Sequence, residues 1–358
     1  MLPAPLVARG LRGVLGVLGG ITMSQDTLSD VLHAVRLRGA VFYYVSFSAK
    51  WSAEAVAASE IAAAVMPGAD HVIEYHMIVK GDGWAAVAGL DPIRLQAGDV
   101  VMFPQGDAHV LSSAPGLQPN RITADWVYAT RNQPKPMPLS YHHGVEQPGA
   151  AMPVDNADAV IVCGFIGCDL RPFNPLIASL PRMLHVPATK TGTWVANVIA
   201  QAAAESREPR AGSDALLARM SEMIFVDVVR TYVESLADPC EGWLAGLRDR
   251  FVGKALALLH DEPAYPWTID ELGKRVGLSR SALHERFLQL IGQPPMLYLT
   301  NWRMQLASNR LRSTSAIVAS IGADVGYDSE AAFARAFKRS VGTSPAAWRR
   351  SNGAARDQ

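Results

Sequence analysis

Cysteine is scarce in this chain, with only Cys163, Cys168 and Cys240 in 358 residues. Three is too few, and odd, for a secreted disulfide framework, so a reducing cytoplasm is the expected compartment. Net charge is also absent, since 33 basic side chains balance 33 acidic ones. That balance argues against a nucleic-acid binder unless the charges are segregated along the chain. Here they are segregated: residues 248–350 hold 15 Lys and Arg against 9 Asp and Glu, and residues 1–247 hold 17 against 23. The back of the chain is therefore the part suited to phosphate. Long apolar runs are missing too. The segment GVLGVLGGI after Arg9 and Arg12 is short, glycine-broken and without a small-residue cleavage site, so neither a membrane span nor a signal peptide is expected. Residues 1–22 read as a disordered extension, with a start near Met23.

What the chain does have is a hydrophobic fraction of 49% over a length suited to two or three domains. It also has one pattern written twice. Ile269, Leu272, Val276 and Gly277 match Val318, Ile321, Val325 and Gly326; after the turn, Ser279, Leu283, Phe287, Gly292 and Pro295 match Ser329, Phe333, Phe337, Gly342 and Pro345. Each copy reads as helix, glycine turn, helix, the form of a helix-turn-helix. Thr268 and Ser315 stand where a hydroxyl would cap the first helix of each copy. Leu283 with Phe287 and Phe333 with Phe337 lie four apart on the inner face of each second helix. The outer faces then carry Arg280, Ser281, His284 and Glu285 in one copy, and Ser329, Glu330, Ala331 and Arg335 in the other. These eight are the candidate DNA contacts. Between the copies, Met296 to Leu311 reads as a helix of roughly 24 Å. It would hold both readers toward major grooves about one turn of DNA apart, roughly 34 Å.

The phrases LSRSALHERFLQLIGQPP and VGYDSEAAFARAFKRSVGTSPAAWRR make this segment resemble the DNA-binding domain of AraC/XylS-type transcription regulators. The resemblance covers about the last hundred residues. It implies two helix-turn-helix units joined by a long helix, each second helix entering a major groove, and it favours activation over repression. Glu285 and Glu330 depart from what a phosphate contact needs, so they must read a cytosine amino group, pair with a neighbour or face away.

The front half reads as strands. After a helix at Thr27–Leu37 come AVFYYVSFSA, HVIEYHMIVKGDGWAAVAG and PIRLQAGDVVMFPQGDAHVLSS, short β-rich runs separated by Gly and Asp turns. The Ala-rich run 53–65 is ambiguous, with a strand followed by a short helix as one reading. Gly98, Pro104, Gly106 and His109 match the spacing of the second motif of cupins, the small jelly-roll barrels. That likeness implies turns at Gly98–Asp99 and at Pro104–Gly106, with His109 pointing into the barrel mouth. The first cupin motif is degraded, for His76 has no histidine partner two residues away and Lys80 stands near the expected carboxylate. Side chains two apart share a strand face, so Glu74 and His76 still converge with His109 as a candidate metal set. Glu74, His76, Trp84 and His109 are the ligand-pocket candidates. His71, an odd step from His76, faces the other way.

Further on, the proline-rich stretch around NQPKPMPLSYHHGVEQPGAAMP reads as an exposed loop with His142 and His143 solvated. AVIVCGFIGCDL reads as a strand that its glycines disturb before Cys168. Cys163 and Cys168, five apart, fall on opposite faces and read as buried thiols, with a redox pair as the alternative. Ser213 to Leu236 is an amphipathic helix whose stripe of Leu217, Met220, Ile224, Val228, Tyr232 and Leu236 either packs on the barrel or forms a dimer seam, and which is the candidate transmitter between domains. The front half is also similar to the cupin-like sensor domain of many AraC-type regulators.

The expected architecture is multidomain α and β: a cupin-like antiparallel β-barrel over 23–190, a helical linker and dimerisation segment over 191–247, an all-α domain with two helix-turn-helix units over 248–350, and a disordered tail over 351–358. The expected function is a cytoplasmic, DNA-binding transcription regulator without enzymatic activity or an obligatory cofactor. Its expected partners are double-stranded promoter DNA, a small-molecule effector, RNA polymerase if it activates, and a second copy of itself. The alternatives are a metal-dependent cupin enzyme fused to a DNA-binding module and a thiol-based redox regulator.

Overall fold

The computed structural model describes residues 26–142, 145–149, 152–190, 193–208, 210–236 and 242–353. The expected extension at 1–22, His143, Cys240 and residues 354–358 lie outside them, as does the side chain of His142. The strands run β1 (Arg38–Ser48), β2 (Ser52–Ala55), β3 (His71–Lys80), β4 (Asp82–Val87), β5 (Ile93–Gln96), β6 (Val100–Phe103), β7 (His109–Ser112), β8 (Asn120–Arg121), β9 (Met137–His142), β10 (Val145–Pro148), β11 (Ala159–Cys168) and β12 (Leu184–Val186). Among them lie α1 (Thr27–Ala34), α2 (Ala58–Val65), α3 (Ala124–Thr130) and α4 (Pro175–Ser179). Then come α5 (Thr193–Arg207), α6 (Ser213–Ser235), α7 (Trp243–Arg248), α8 (Arg250–Asp261), α9 (Ile269–Val276), α10 (Arg280–Ile291), α11 (Pro295–Ser313), α12 (Val318–Asp324), α13 (Glu330–Val341) and α14 (Pro345–Gly353). Residues 351–353, expected in the tail, finish α14 instead.

The front half is two sheets laid face to face. The larger has the order β10-β9-β1-β11-β3-β6-β12 and the smaller β5-β4-β7-β2-β8. The expected antiparallel barrel is corrected here, because the two sheets are not joined into a closed ring and two pairs, β1 with β9 and β2 with β8, are parallel. The exposed loop expected around 132–153 is corrected as well, for 137–142 and 145–148 are strands. Met137, Leu139 and Tyr141 alternate at the period of a strand and are buried, which places β9 inside the sheet beside β1. Nor do its glycines interrupt β11. At Gly164 an added Cβ would come within 2.4 Å of the Tyr75 ring and the Ala40 carbonyl, so the glycine permits close approach of neighbouring strands rather than a break.

Alternation decides what each face of the large sheet meets. Ile73, Tyr75 and Met77 pack with Leu217, Ile224, Phe225, Val228 and Val229 of α6 on one side. Phe47, Ile78, Val101 and Leu139 meet Val87 and Leu111 of the small sheet on the other. The stripe of α6 is thus used on the sheet, with Tyr75 Oη 2.7 Å from Ser221 Oγ fixing the seat. Leu216 and Met223 of the same helix stay exposed.

The back half is helical, and its two helix-turn-helix units, α9–α10 and α12–α13, flank α11, which at about 1.5 Å per residue is roughly 28 Å long. The N-terminal caps of the first helices differ. Thr268 Oγ1 accepts the Glu271 N–H at 3.1 Å as expected, but Ser315 caps nothing: α12 starts three residues later, with Ile317 at its N-cap and no side-chain bond.

The halves are bonded to each other through α11. Gln305, fully buried, donates to the Ala34 carbonyl at 2.9 Å and accepts the Phe173 N–H at 3.0 Å. Asn309 donates to the same Ala34 carbonyl at 2.7 Å. Buried Asp169, just past β11, holds Arg312 at 2.7 Å and Arg36 at 2.7 Å.

Candidate nucleic-acid interface and inter-sheet cavity

Each second helix of the pair is set locally by its own sequence. Ser279 Oγ accepts the Ala282 N–H and Ser329 Oγ the Ala332 N–H, both at 3.2 Å, which starts α10 and α13. Gly292 and Gly342 end them at φ 77° and 87°, the left-handed cap that other residues resist. Leu283, Phe287, Phe333 and Phe337 are wholly buried, so the opposite faces turn to solvent. Arg280, Ser281 and Glu285 are exposed, His284 is half-buried, and Ser329, Glu330, Ala331 and Arg335 are exposed. The main packing of α10 is on α7, α8, α9 and α11, and that of α13 on α11, α12 and α14.

Within these faces the side chains differ. Arg280 lies 3.6 Å from Asp270, but both are exposed, so the pair is weak and the guanidinium can exchange that partner for a base or phosphate. Ser329 already serves as a cap. Glu330 opens α13, where negative charge suits the positive end of the helix. Among the described residues, neither Glu285 nor Glu330 is in an ion pair. Sequence reading missed Leu288 and Lys338, one turn further along the same faces and both exposed. The signal was present, since the outward series 281, 284/285 simply continues to 288.

The second site lies between the sheets. Glu74 and His76 on β3 and His109 at the start of β7 converge, with ligand atoms within 4.8 Å of one another. Gly98 and Gly106 adopt φ 91° and 71° and make the turns that bring β7 over β3. Asp99 completes the first turn, accepting the N–H groups of Gln96 and Ala188 at 3.0 and 2.8 Å. Around the three side chains is a cavity of about 70 Å³, walled by Tyr43, Phe47, Trp126, Tyr141 and Phe165.

Trp84 is not part of it. β4 buries Gly83, Ala85 and Val87, and the same alternation turns Trp84 to the outer side of the small sheet. Tyr43, Trp126 and Tyr141 supply the aromatic wall instead, and Trp126 escaped notice because α3 carries no motif. His71 faces away as expected, its Nε2 2.6 Å from the Pro104 carbonyl. Lys80 donates to the Val154 carbonyl at 2.8 Å, outside the cluster.

Burial governs the charge of this site. It raises the Glu74 carboxyl to about 8, so the acid is protonated at neutral pH. Burial also pushes His109 down to about 4, against a smaller opposing effect of the Asp107 backbone, and holds His76 well below the ordinary imidazole range, helped by His109. The 3.8 Å approach of Glu74 to His109 is therefore a contact between neutral groups rather than an ion pair. Two imidazoles and a carboxyl are the donor types of a transition-metal site. Their spacing here is that of a hydrogen bond, with His76 Nε2 2.7 Å from His109 Nε2. Cys163 faces the cavity and Cys168 packs in the core on the other side of β11. Burial raises both thiols above their ordinary range, which suits inert sulfurs rather than a redox pair.

A two-part helical reader docked on a two-sheet domain with an internal cavity defines a class, DNA-binding regulators that carry a second domain. Comparison with known proteins agrees. A cupin family model matches residues 26–234, and a helix-turn-helix domain model matches 272–351. A putative AraC-like transcription regulator of Streptomyces lividans is 31% identical over 331 residues, covering 91% of this chain and 98% of that protein. The HTH-type transcriptional regulator AlkR of Acinetobacter baylyi is 25% identical, covering 91% and 99%. Among solved structures, the DNA-binding domain of AdpA in complex with a target DNA is 26% identical and covers 31% of this chain and 99% of that one, with a TM-score of 0.30. The chain belongs to the AraC-like transcription regulators and carries a cupin-like domain ahead of its helix-turn-helix domain. No helix among the described residues is long and apolar enough to cross a membrane.

Proposed function

We propose that the protein reads promoter DNA with α10 and α13 together and that an effector in the inter-sheet cavity sets how well it does so. The observation that carries the first part is the solvent exposure of both outer faces, Arg280 to Glu285 and Glu330 to Arg335, in a domain whose charge is net positive. On this reading the protein works as a cytoplasmic activator that engages RNA polymerase, and the cavity binds without turning over what it binds. The effector acts by favouring one arrangement of the domains through differential affinity. Ile161, Cys163, Gly164 and Phe165 of β11 line the cavity and Asp169 follows the same strand to the Arg312 contact, so on this reading strand β11 joins effector site and reader.

The test is selection of genomic DNA fragments by the purified full chain, followed by binding of the recovered duplex across a salt series. A specific site and an affinity that falls steeply with salt are expected. Failure to enrich any fragment would contradict the reading.

The convergence of Glu74, His76 and His109 favours one second reading, a bound transition metal held by those three side chains. Elemental analysis of the purified protein decides it: stoichiometric iron, manganese or zinc that disappears in His109→Ala would establish the metal.

A further inference from the structure

Among the described residues, the hydrogen bonds of the cavity leave two atoms without partners, and their identities describe what belongs there. His109 Nδ1 lies 2.9 Å from the Asp107 carbonyl, which can only accept, so Nδ1 carries the proton. Neutral His109 then offers a lone pair at Nε2, and His76 Nε2, 2.7 Å away, must donate to it. That leaves His76 Nδ1 as an acceptor. It is buried with no hydrogen-bond partner, and so is Glu74 Oε1. Both residues are more than nine-tenths buried and line the cavity. Buried polar groups are nearly always paired, so the two mark the place of a ligand head.

The head has to donate to the His76 nitrogen and exchange a hydrogen bond with the Glu74 carboxyl. Among the described residues no Lys or Arg lines the cavity, so an anion would be buried without a counter-charge. A carboxylate also has no hydrogen to give His76. An ammonium could donate, but it would lose its hydration in a space walled by apolar and aromatic side chains. Beyond the head the walls are apolar and aromatic. The free volume, about 70 Å³, is roughly half of the 150 Å³ apolar cavity that takes benzene. It houses a head and a short stretch of body. The rest must run toward the lining residues that reach solvent, chiefly Tyr43, Ile122 and Trp126.

We propose that the cavity binds an uncharged amphiphile with a hydroxyl head, an alcohol or phenol, whose oxygen meets His76 Nδ1 and Glu74 Oε1 and whose apolar body extends toward Trp126. This rests on the reading of the cavity as the effector site. The test is calorimetric titration of the full chain at pH 7 with three probes of equal length, 1-hexanol, hexanoate and hexylamine, each repeated while affinity for a selected DNA fragment is measured. 1-Hexanol should bind at least tenfold more tightly than either charged probe. Glu74→Gln, which keeps a donor and an acceptor, should hold that affinity within about twofold, and His76→Leu should weaken it about tenfold. Preference for hexanoate or hexylamine overturns the hydroxyl head while leaving a cavity that binds effectors. Binding of none of the three overturns it as well, and stoichiometric uptake of zinc or manganese by the same sample would identify the centre as metallic. Selective 1-hexanol binding with no change in DNA affinity upholds the ligand class and removes its role as effector. The two failures are therefore separable.

Discussion

The two helix-turn-helix units are near copies in sequence, yet they are held differently. Leu272, Val276, Leu283 and Phe287 of the first unit belong to a core that continues through Tyr298 and Trp302 into the two-sheet domain. Ile321, Val325, Phe333 and Phe337 of the second share a separate, smaller core with Met304, Ala307 and Leu311. Repeated local chemistry therefore builds the same fold twice, and among the described residues the first shares the core of the two-sheet domain while the second has its own. α11 has both roles: Gln305, Asn309 and Arg312 are bonded to the front half, and Met304, Ala307 and Leu311 support the second unit. On the proposed function, the first unit is the one placed to follow the effector's occupancy, and the second is the companion reader with its own core.

The sharpest way to break this contrast is to hollow each core in turn. Phe287→Ala and Phe337→Ala should each cost about 3–5 kcal/mol locally. In scanning calorimetry Phe287→Ala should lower the main transition, sensor included, whereas Phe337→Ala should split off an early transition confined to the second unit. Equal behaviour would abolish the distinction. Asp169→Ala strikes the shared interface directly. It leaves Arg312 buried without its carboxylate, at a cost of about 3–5 kcal/mol, an upper figure because Arg36 is partly exposed. Hydrogen exchange should rise along α11 and α1 while α13 keeps its protection, and unchanged exchange in α11 would remove Asp169 from the coupling.

Smaller effects sharpen the comparison between the readers themselves. Arg280→Ala and Arg335→Ala should each weaken binding to the selected duplex by about 1–3 kcal/mol, relaxing specificity at different base pairs. An equal loss on every sequence would make either residue a phosphate contact. The cavity gives a pH signature that neither reader shares. Glu74 holds its proton up to about 8 when folded and releases it near the ordinary carboxyl range when unfolded, so its contribution is complete at low pH and is lost as pH rises toward 8. His76 and His109 act in the opposite direction, but only below the ordinary imidazole value of about 6.5. Between about pH 6.5 and 8 stability should therefore fall by up to roughly 2 kcal/mol, and Glu74→Gln should flatten that slope. A wild-type curve as flat as the variant's would contradict a protonated Glu74.

The sequence was legible where a short period or a repeat carried the information. The paired readers and the meeting of Glu74 with His76 and His109 follow from spacing along helices or strands, whereas the capping role of Ser329, expected as a DNA contact, does not. It was opaque where a local signal competed with a distant one. Prolines around Pro136 and Pro138 masked the alternation of Met137, Leu139 and Tyr141, and the pull of the large sheet made a strand of that segment. The outward side of Trp84 is not legible in sequence, because strand phase depends on where β4 starts, which only its neighbours fix. Gln305, Asn309 and Arg312 bond to residues more than a hundred positions away, and no pattern within α11 announces such partners.

Chemical footprinting of the full chain on a selected duplex tests the central claim most directly. Two protected major-groove segments about 10 base pairs apart are expected, with Phe337→Ala clearing one and leaving the other. A single protected segment that Phe337→Ala does not alter would contradict a protein that holds one duplex with both readers.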